Sequence, residues 1–108
     1  MNILLTGASG GLGRSLLRRL VGREGLEVRA LVHRASVVME GCQIARGDLR
    51  DRASLLDAVK GADTVVHLAA LTHTNREEDY FVVNYEGTKN LVEASVAGGA
   101  GRFLYVSS

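Results

Sequence analysis

The chain opens MNILLTGASGGLGRSLLRRL (residues 1–20), and within it the run Thr6-Gly7-Ala8-Ser9-Gly10-Gly11-Leu12-Gly13 sets four glycines inside seven residues. Ahead of the glycines stands a short apolar run, 2–6. Behind them Leu12, Leu16, Leu17, Leu20 and Val21 share the spacing of one helical stripe. The order is strand, turn, helix, and the turn has two readings: a flexible connection with no ligand, or a seat for a phosphate. The first turn of a helix carries unpaired backbone N–H groups with a partial positive charge behind them, and so suits a diphosphate. Gly7 can turn the chain out of the strand, Gly10 or Gly11 can lie against the phosphates with no Cβ in the way, and Gly13 can let the helix sit close on the sheet. The spacing is GxxGxxG, where the general dinucleotide fingerprint is GxGxxG, and no Lys-Ser or Lys-Thr follows as in a nucleoside triphosphate loop. Arg14 in the first helical turn opposes the helix dipole unless an anion lies nearby; a solvated arginine is the equal alternative.

The alternation continues along the chain. Glu27–Val32 reads as a second strand and 42–45 as a weaker third, after which Asp51 can cap a short helix carrying Leu55, Leu56 and Val59. Residues 64–70 (Thr-Val-Val-His-Leu-Ala-Ala) are apolar on both faces, the pattern of a central parallel strand covered on each side. A long helix is predicted over about 77–97, with Phe81, Tyr85, Thr88, Val92 and Val96 on one face. Glycines at 98, 99 and 101 stop it before a last strand, 103–106. Five strands alternating with helices predict an α/β fold, a Rossmann-like doubly wound parallel sheet.

A length of 108 residues suits one domain spanning 1–108. With 46% apolar and 23% charged residues the composition is that of a soluble globular chain, and a net charge of +1 gives no general attraction to nucleic acid or membrane. No signal peptide or membrane span is read. Cys42 is the single cysteine, and neither it nor His33, His67 and His73 has metal-ligand spacing. A cytoplasmic, metal-free protein is expected.

Five segments, taken in order, resemble one family: the glycine run 6–13, Gly47-Asp48-Leu49, His67-Leu68-Ala69-Ala70, Val83-Asn84-Tyr85-Glu86-Gly87-Thr88 and Tyr105-Val106-Ser107-Ser108. Together they are similar to the amino-terminal portion of the extended short-chain dehydrogenases/reductases, the NAD(P)-dependent nucleotide-sugar epimerases and dehydratases. The resemblance implies a pyrophosphate on Gly7, Ser9, Gly10, Gly11, Leu12 and Gly13, with Leu12 backing it. It implies adenine beside Asp48 and Leu49, where a carboxylate accepts from the exocyclic amine and an apolar side chain covers the ring; a turn or helix-start residue is the alternative for Asp48. Leu68, Ala69 and Ala70 then lie at the carboxyl end of the fourth strand, where ligands bind in open α/β sheets, the two alanines leaving room for a ribose. Asn84 shapes the loop between cofactor and active site, Ser107 lies near the nicotinamide, and Ser108 matches the catalytic hydroxyl. His67 is read as a core histidine with satisfied hydrogen bonds, and Lys89 as a surface lysine.

The resemblance also implies a Tyr-x-x-x-Lys pair, in which a tyrosine tuned by the lysine and the cofactor acts as base. Tyr85 and Lys89 stand at that spacing but ahead of the place the family gives its active-site pair, and Lys89 is declined as the catalytic lysine; with the family's downstream pair missing from residues 1–108, this polypeptide alone is expected not to turn over, truncated as it is before a substrate domain. A non-catalytic NADP-binding regulator or redox sensor is the rival, separated from the enzyme by whether the pair follows downstream. At the end of the second strand, Leu31-Val32-His33-Arg34-Ala35-Ser36 contains no acid for a ribose diol, while His33, Arg34 and Ser36 can face a 2′-phosphate. NADP is therefore favoured over NAD. An open edge at the fifth strand predicts self-association as a homo-oligomer.

Overall fold

The structure, a computed structural model, describes residues 1–8, 10–33, 41–68 and 82–106. Within them lie β1 (Asn2–Thr6), α1 (Gly11–Leu20), β2 (Glu27–Val32), β3 (Cys42–Arg46), α2 (Arg52–Ala58) and β4 (Thr64–His67). A π-helical turn (Val82–Glu86) then leads into α3 (Gly87–Ala97), and β5 (Arg102–Tyr105) follows. The five strands form one sheet in the order β3-β2-β1-β4-β5, every neighbouring pair parallel. The predicted fold class is the one observed, with third and fifth strands displaced by a residue at one or both ends.

Alternation along the strands divides the core in two. Ile3 and Leu5 of β1, Val28, Ala30 and Val32 of β2 and Val66 of β4 bury against Leu17 of α1. Leu4 and Val65, pointing to the opposite face, bury against Leu55, Ala58 and Val59 at α2 and Leu91 and Ala94 of α3. Because β1 and β4 are covered on both faces, they need apolar residues at consecutive positions, and NILLT and TVVH supply them. The outer strands are wetter: Ile44 on β3 and Leu104 and Tyr105 on β5 are exposed.

Two helical faces depart from expectation. Leu12 is 64% exposed and stands outside the α1 stripe, where Gly13 and Leu17, four positions apart, are the buried pair. On α3 the buried residues are Gly87, Leu91, Ala94 and Ser95, while Tyr85, Val92 and Val96 face outward. The helix lies close on its neighbours, and close approach selects small side chains over the largest apolar ones: at Gly98, just past its end, a Cβ would come within 2.9 Å of Val59 Cγ2. The amino-terminal part of the predicted long helix, with Phe81, lies outside the described residues.

The strand order reverses direction at β1. α1, which follows β1, packs on one face of the sheet and α3, which follows β4, on the other, the arrangement that in open α/β sheets places a crevice beyond the carboxyl ends of the two strands.

Candidate functional site

At that crevice the glycine turn is shaped chiefly by backbone. Gly7 has φ 77°, a left-handed conformation that a residue with a Cβ rarely adopts. Its carbonyl accepts from the Gly10 N–H at 3.2 Å, and Arg14 N–H bonds back to the Gly10 carbonyl at 2.9 Å, starting α1. A Cβ added to Gly13 would come within 1.8 Å of the Gly7 carbonyl oxygen, so this glycine is demanded by helix-on-turn contact. Gly10 and Gly11 differ. Among the described residues a Cβ on Gly10 would make only an ordinary contact at 3.6 Å, and one on Gly11 would meet nothing within 4 Å. Gly10, the N-cap of α1, contributes no side-chain cap, and the first turn holds no acid. The N–H groups of that turn, which have no partner within a helix, thus emerge beneath open space. Leu12 and Arg14 stand exposed on the same turn.

Below the crevice runs a buried polar chain. His67, the last residue of β4, is fully buried; its Nδ1 lies 2.6 Å from Thr6 Oγ1, and its Nε2 lies 2.9 Å from Thr88 Oγ1. The Leu68 N–H donates to Thr6 Oγ1 at 3.0 Å. Phe103 and Tyr105 of β5 flank the imidazole, their ring centroids 6.1 and 5.3 Å away. Burial pushes the His67 pKa down to about 4, so the ring is neutral near pH 7, with one nitrogen donating and the other accepting; threonine hydroxyls serve either role. His67 is a core histidine that ties β1, β4 and α3 together, as its sequence setting indicates.

The loop at residues 47–51, beyond β3, is held largely by side chains. Gly47 N–H donates to the Val32 carbonyl (3.1 Å), and Asp48 N–H to Ser54 Oγ (3.0 Å). Asp51 caps α2 by accepting from the N–H groups of Ala53 and Ser54. Asn90 Nδ2 of α3 donates to the Leu49 carbonyl at 2.9 Å. The Asp48 carboxylate, its side chain about one third exposed, takes the Arg50 N–H on one oxygen (3.0 Å), while the other lies 3.4 Å from His33 Nε2. Leu49 packs on the second core cluster, leaving a half-buried face at the loop.

Across the crevice Asn84 sits half-buried on the π-helical turn, an irregularity of the kind that re-aims side chains at functional sites. The structure therefore gathers Gly7, Gly10, Gly11, Leu12, Gly13, His33, Asp48, Leu49, Leu68 and Asn84 on elements at or next to the carboxyl edge of one sheet. Ser9, Arg34, Ala69, Ala70, Ser107 and Ser108 lie outside the described residues. Sequence reading assigned no site role to Thr6, Ser54, Thr88 and Asn90. Ser54, three positions after the Asp51 cap, carried a recognisable signal; the others depend on partners 21 to 62 positions away along the chain.

A family profile described as the NAD dependent epimerase/dehydratase family matches residues 3–108. The chain belongs to that family. It is similar to sterol demethylase protein B of Methylococcus capsulatus, 39% identical over 114 aligned positions that take in 100% of this chain and 34% of that protein. Among solved structures, MoeE5 in complex with UDP-glucuronic acid and NAD superposes with a TM-score of 0.86 at 33% identity, over 100% of this chain and 37% of that one. Uronate dehydrogenase from Agrobacterium tumefaciens, one form of which is complexed with NAD, gives 0.84 at 30% identity, over 99% and 40%. The chain thus spans about a third to two fifths of the length of these family members. No helix among the described residues is long and apolar enough to cross a membrane.

Proposed function

We propose that residues 1–108 form the nicotinamide-dinucleotide domain of an oxidoreductase acting on nucleoside-diphosphate sugars, with the pyrophosphate seated at the amino end of α1. The contrast among the glycines carries this reading. Gly13 is required by packing, whereas Gly10 and Gly11 leave room over the helix N–H groups that no contact among the described residues demands. Adenine lies beside Asp48 and Leu49, and the nicotinamide half runs past Leu68, Ala69 and Ala70 toward Asn84 and Ser107. Ser108 donates a hydrogen bond to the substrate oxygen. The dinucleotide, when bound, takes up or returns a hydride. Tyr85 and Lys89 share the Tyr-x-x-x-Lys spacing but precede β5 and are not assigned as the base, so on this proposal catalysis is an activity of the longer protein.

NADP is the favoured dinucleotide. The reading now rests on Arg34, because His33 faces the Asp48 carboxylate. Homo-oligomerisation belongs to the same proposal, supported by exposed Tyr85, Val92 and Val96 and by Leu104, Tyr105 and Val106 at the β5 edge; a monomeric mass independent of concentration in light scattering refutes it.

Calorimetric titration of the folded protein with NAD and NADP tests the site. Heat of binding with at least one is expected; none with either removes the proposal. Arg34→Ala should weaken NADP far more than NAD, and equal losses show that Arg34 does not read the 2′-phosphate.

A further inference from the structure

The geometry points to Asn90 as a positioning residue for the adenine half of the site: from α3, its amide holds the Leu49 carbonyl and with it the loop presenting Asp48 and Leu49. This rests on the placement of adenine at that loop proposed above.

An asparagine in the interior of a helix is a poor helix former, since its amide competes for backbone partners in other conformations. At position 90 the amide is turned away from its own helix and spans 41 positions of sequence to reach Leu49. Other bonds of the loop among the described residues come from β2 or from the loop and α2 themselves, such as Gly47 N–H to the Val32 carbonyl, Asp48 N–H to Ser54 Oγ, and Asp51 N–H to the Asp48 carbonyl at 2.8 Å. These fix the loop to its own strand and helix. The bond from Asn90 adds a reference to α3, the helix whose Thr88 is joined to His67 at the end of β4. The adenine loop and the carboxyl ends of β1 and β4 are thereby registered to one rigid element. The Asp48 carboxylate stands directly before the tethered peptide group of Leu49, so a swing of that peptide re-aims it.

A nearby contact between the same helices provides the comparison. Arg52 of α2 and Glu93 of α3 pair at 3.1 Å, both partly exposed. In the full-length protein, affinity for adenosine monophosphate is measured by calorimetry for wild type, Asn90→Ala, Glu93→Gln, Asp48→Ala and the double variant Asn90→Ala/Asp48→Ala. Asn90→Ala should bind the mononucleotide about three- to tenfold more weakly, the worth of one lost hydrogen bond. Glu93→Gln should bind as wild type. On the Asp48→Ala background the Asn90 substitution should cost much less than alone, because the group it positions is gone.

If Asp48→Ala weakens binding and Asn90→Ala does not, the positioning role fails while the adenine site stands. If neither matters, adenine does not lie at this loop, and both readings fall. Equal losses from Asn90→Ala and Glu93→Gln, or additive losses in the double variant, reduce Asn90 to general packing and overturn the assignment. Should Asn90→Ala not fold, Asn90→Asp, equal in size but lacking the N–H donor, carries the same comparison.

Discussion

Between β1 and α1 the chain turns on glycines, and among the described residues the contacts recorded within the turn are backbone to backbone: the Gly7 carbonyl, the Gly10 N–H, and the near-collision that only a missing Cβ at Gly13 prevents. Between β3 and α2, four residues' side chains do comparable work: Asp48, Asp51, Ser54 and Asn90 each contribute at least one hydrogen bond to residues 47–54. Bare backbone presents an array of N–H donors that can approach an anion, and suits an obligatory diphosphate. A loop fastened by side chains presents individual groups, and each can be exchanged without disturbing the strand before it. The first region should therefore fail abruptly under substitution and the second by degrees.

The sharpest way to break that contrast is Gly13→Ala. Its Cβ would stand 1.8 Å from the Gly7 carbonyl oxygen, so α1 must move off the sheet; a loss on the order of 4 kcal/mol or more is expected, read as a collapse of the denaturant midpoint. A stable variant would show that the turn yields.

The next effect lies beneath the turn. Folded His67 titrates near 4, below its ordinary 6.5, so between those values the unfolded chain holds the extra proton. Stability is then complete above about pH 6.5, declines as the pH falls toward 4, and levels off below. The full loss is on the order of 3 kcal/mol. Urea midpoints from pH 7 to pH 4 should slope more steeply for wild type than for His67→Gln; parallel slopes would mean that His67 charges freely in the fold.

In the loop, Asp51→Ala removes the α2 cap and should cost about 1 kcal/mol, seen as a modest fall in thermal midpoint with the fold retained. The smallest structural effect is expected at Gly11→Ala, within about 0.5 kcal/mol of wild type, since the added methyl enters open space. If the diphosphate occupies that space, dinucleotide affinity should nonetheless drop at least several-fold; unchanged affinity would leave Gly11 without a role.

These regions also differed in how far the sequence disclosed them. The glycine turn is local, and its purpose could be read from residues 2–13 without knowledge of the remainder. Asp51 was equally legible as a cap, being three residues from the N–H it satisfies. The orientation of α3 was not, because the sequence shows which residues are apolar but not how near the neighbouring element lies; a tight approach made Gly87, Ala94 and Ser95 the inner face and left Val92 and Val96 outside. The Thr6–His67–Thr88 chain and the Asn90 tether were hidden for a related reason. Each joins residues that only the parallel strand order brings together, and nothing at Asn90 itself distinguishes a tethering amide from a solvated one.

The placement of β1 at the middle of the sheet has a consequence during synthesis. Ile3 pairs with Thr64 and Leu5 with Val66, so β1, once synthesised, gains its second neighbour only after some sixty further residues have been added. At about 5–20 residues per second, that delay is roughly 3–12 seconds. Throughout it the Ile3-Leu4-Leu5 run has one flank open, which makes this nascent segment a natural client for a ribosome-associated chaperone.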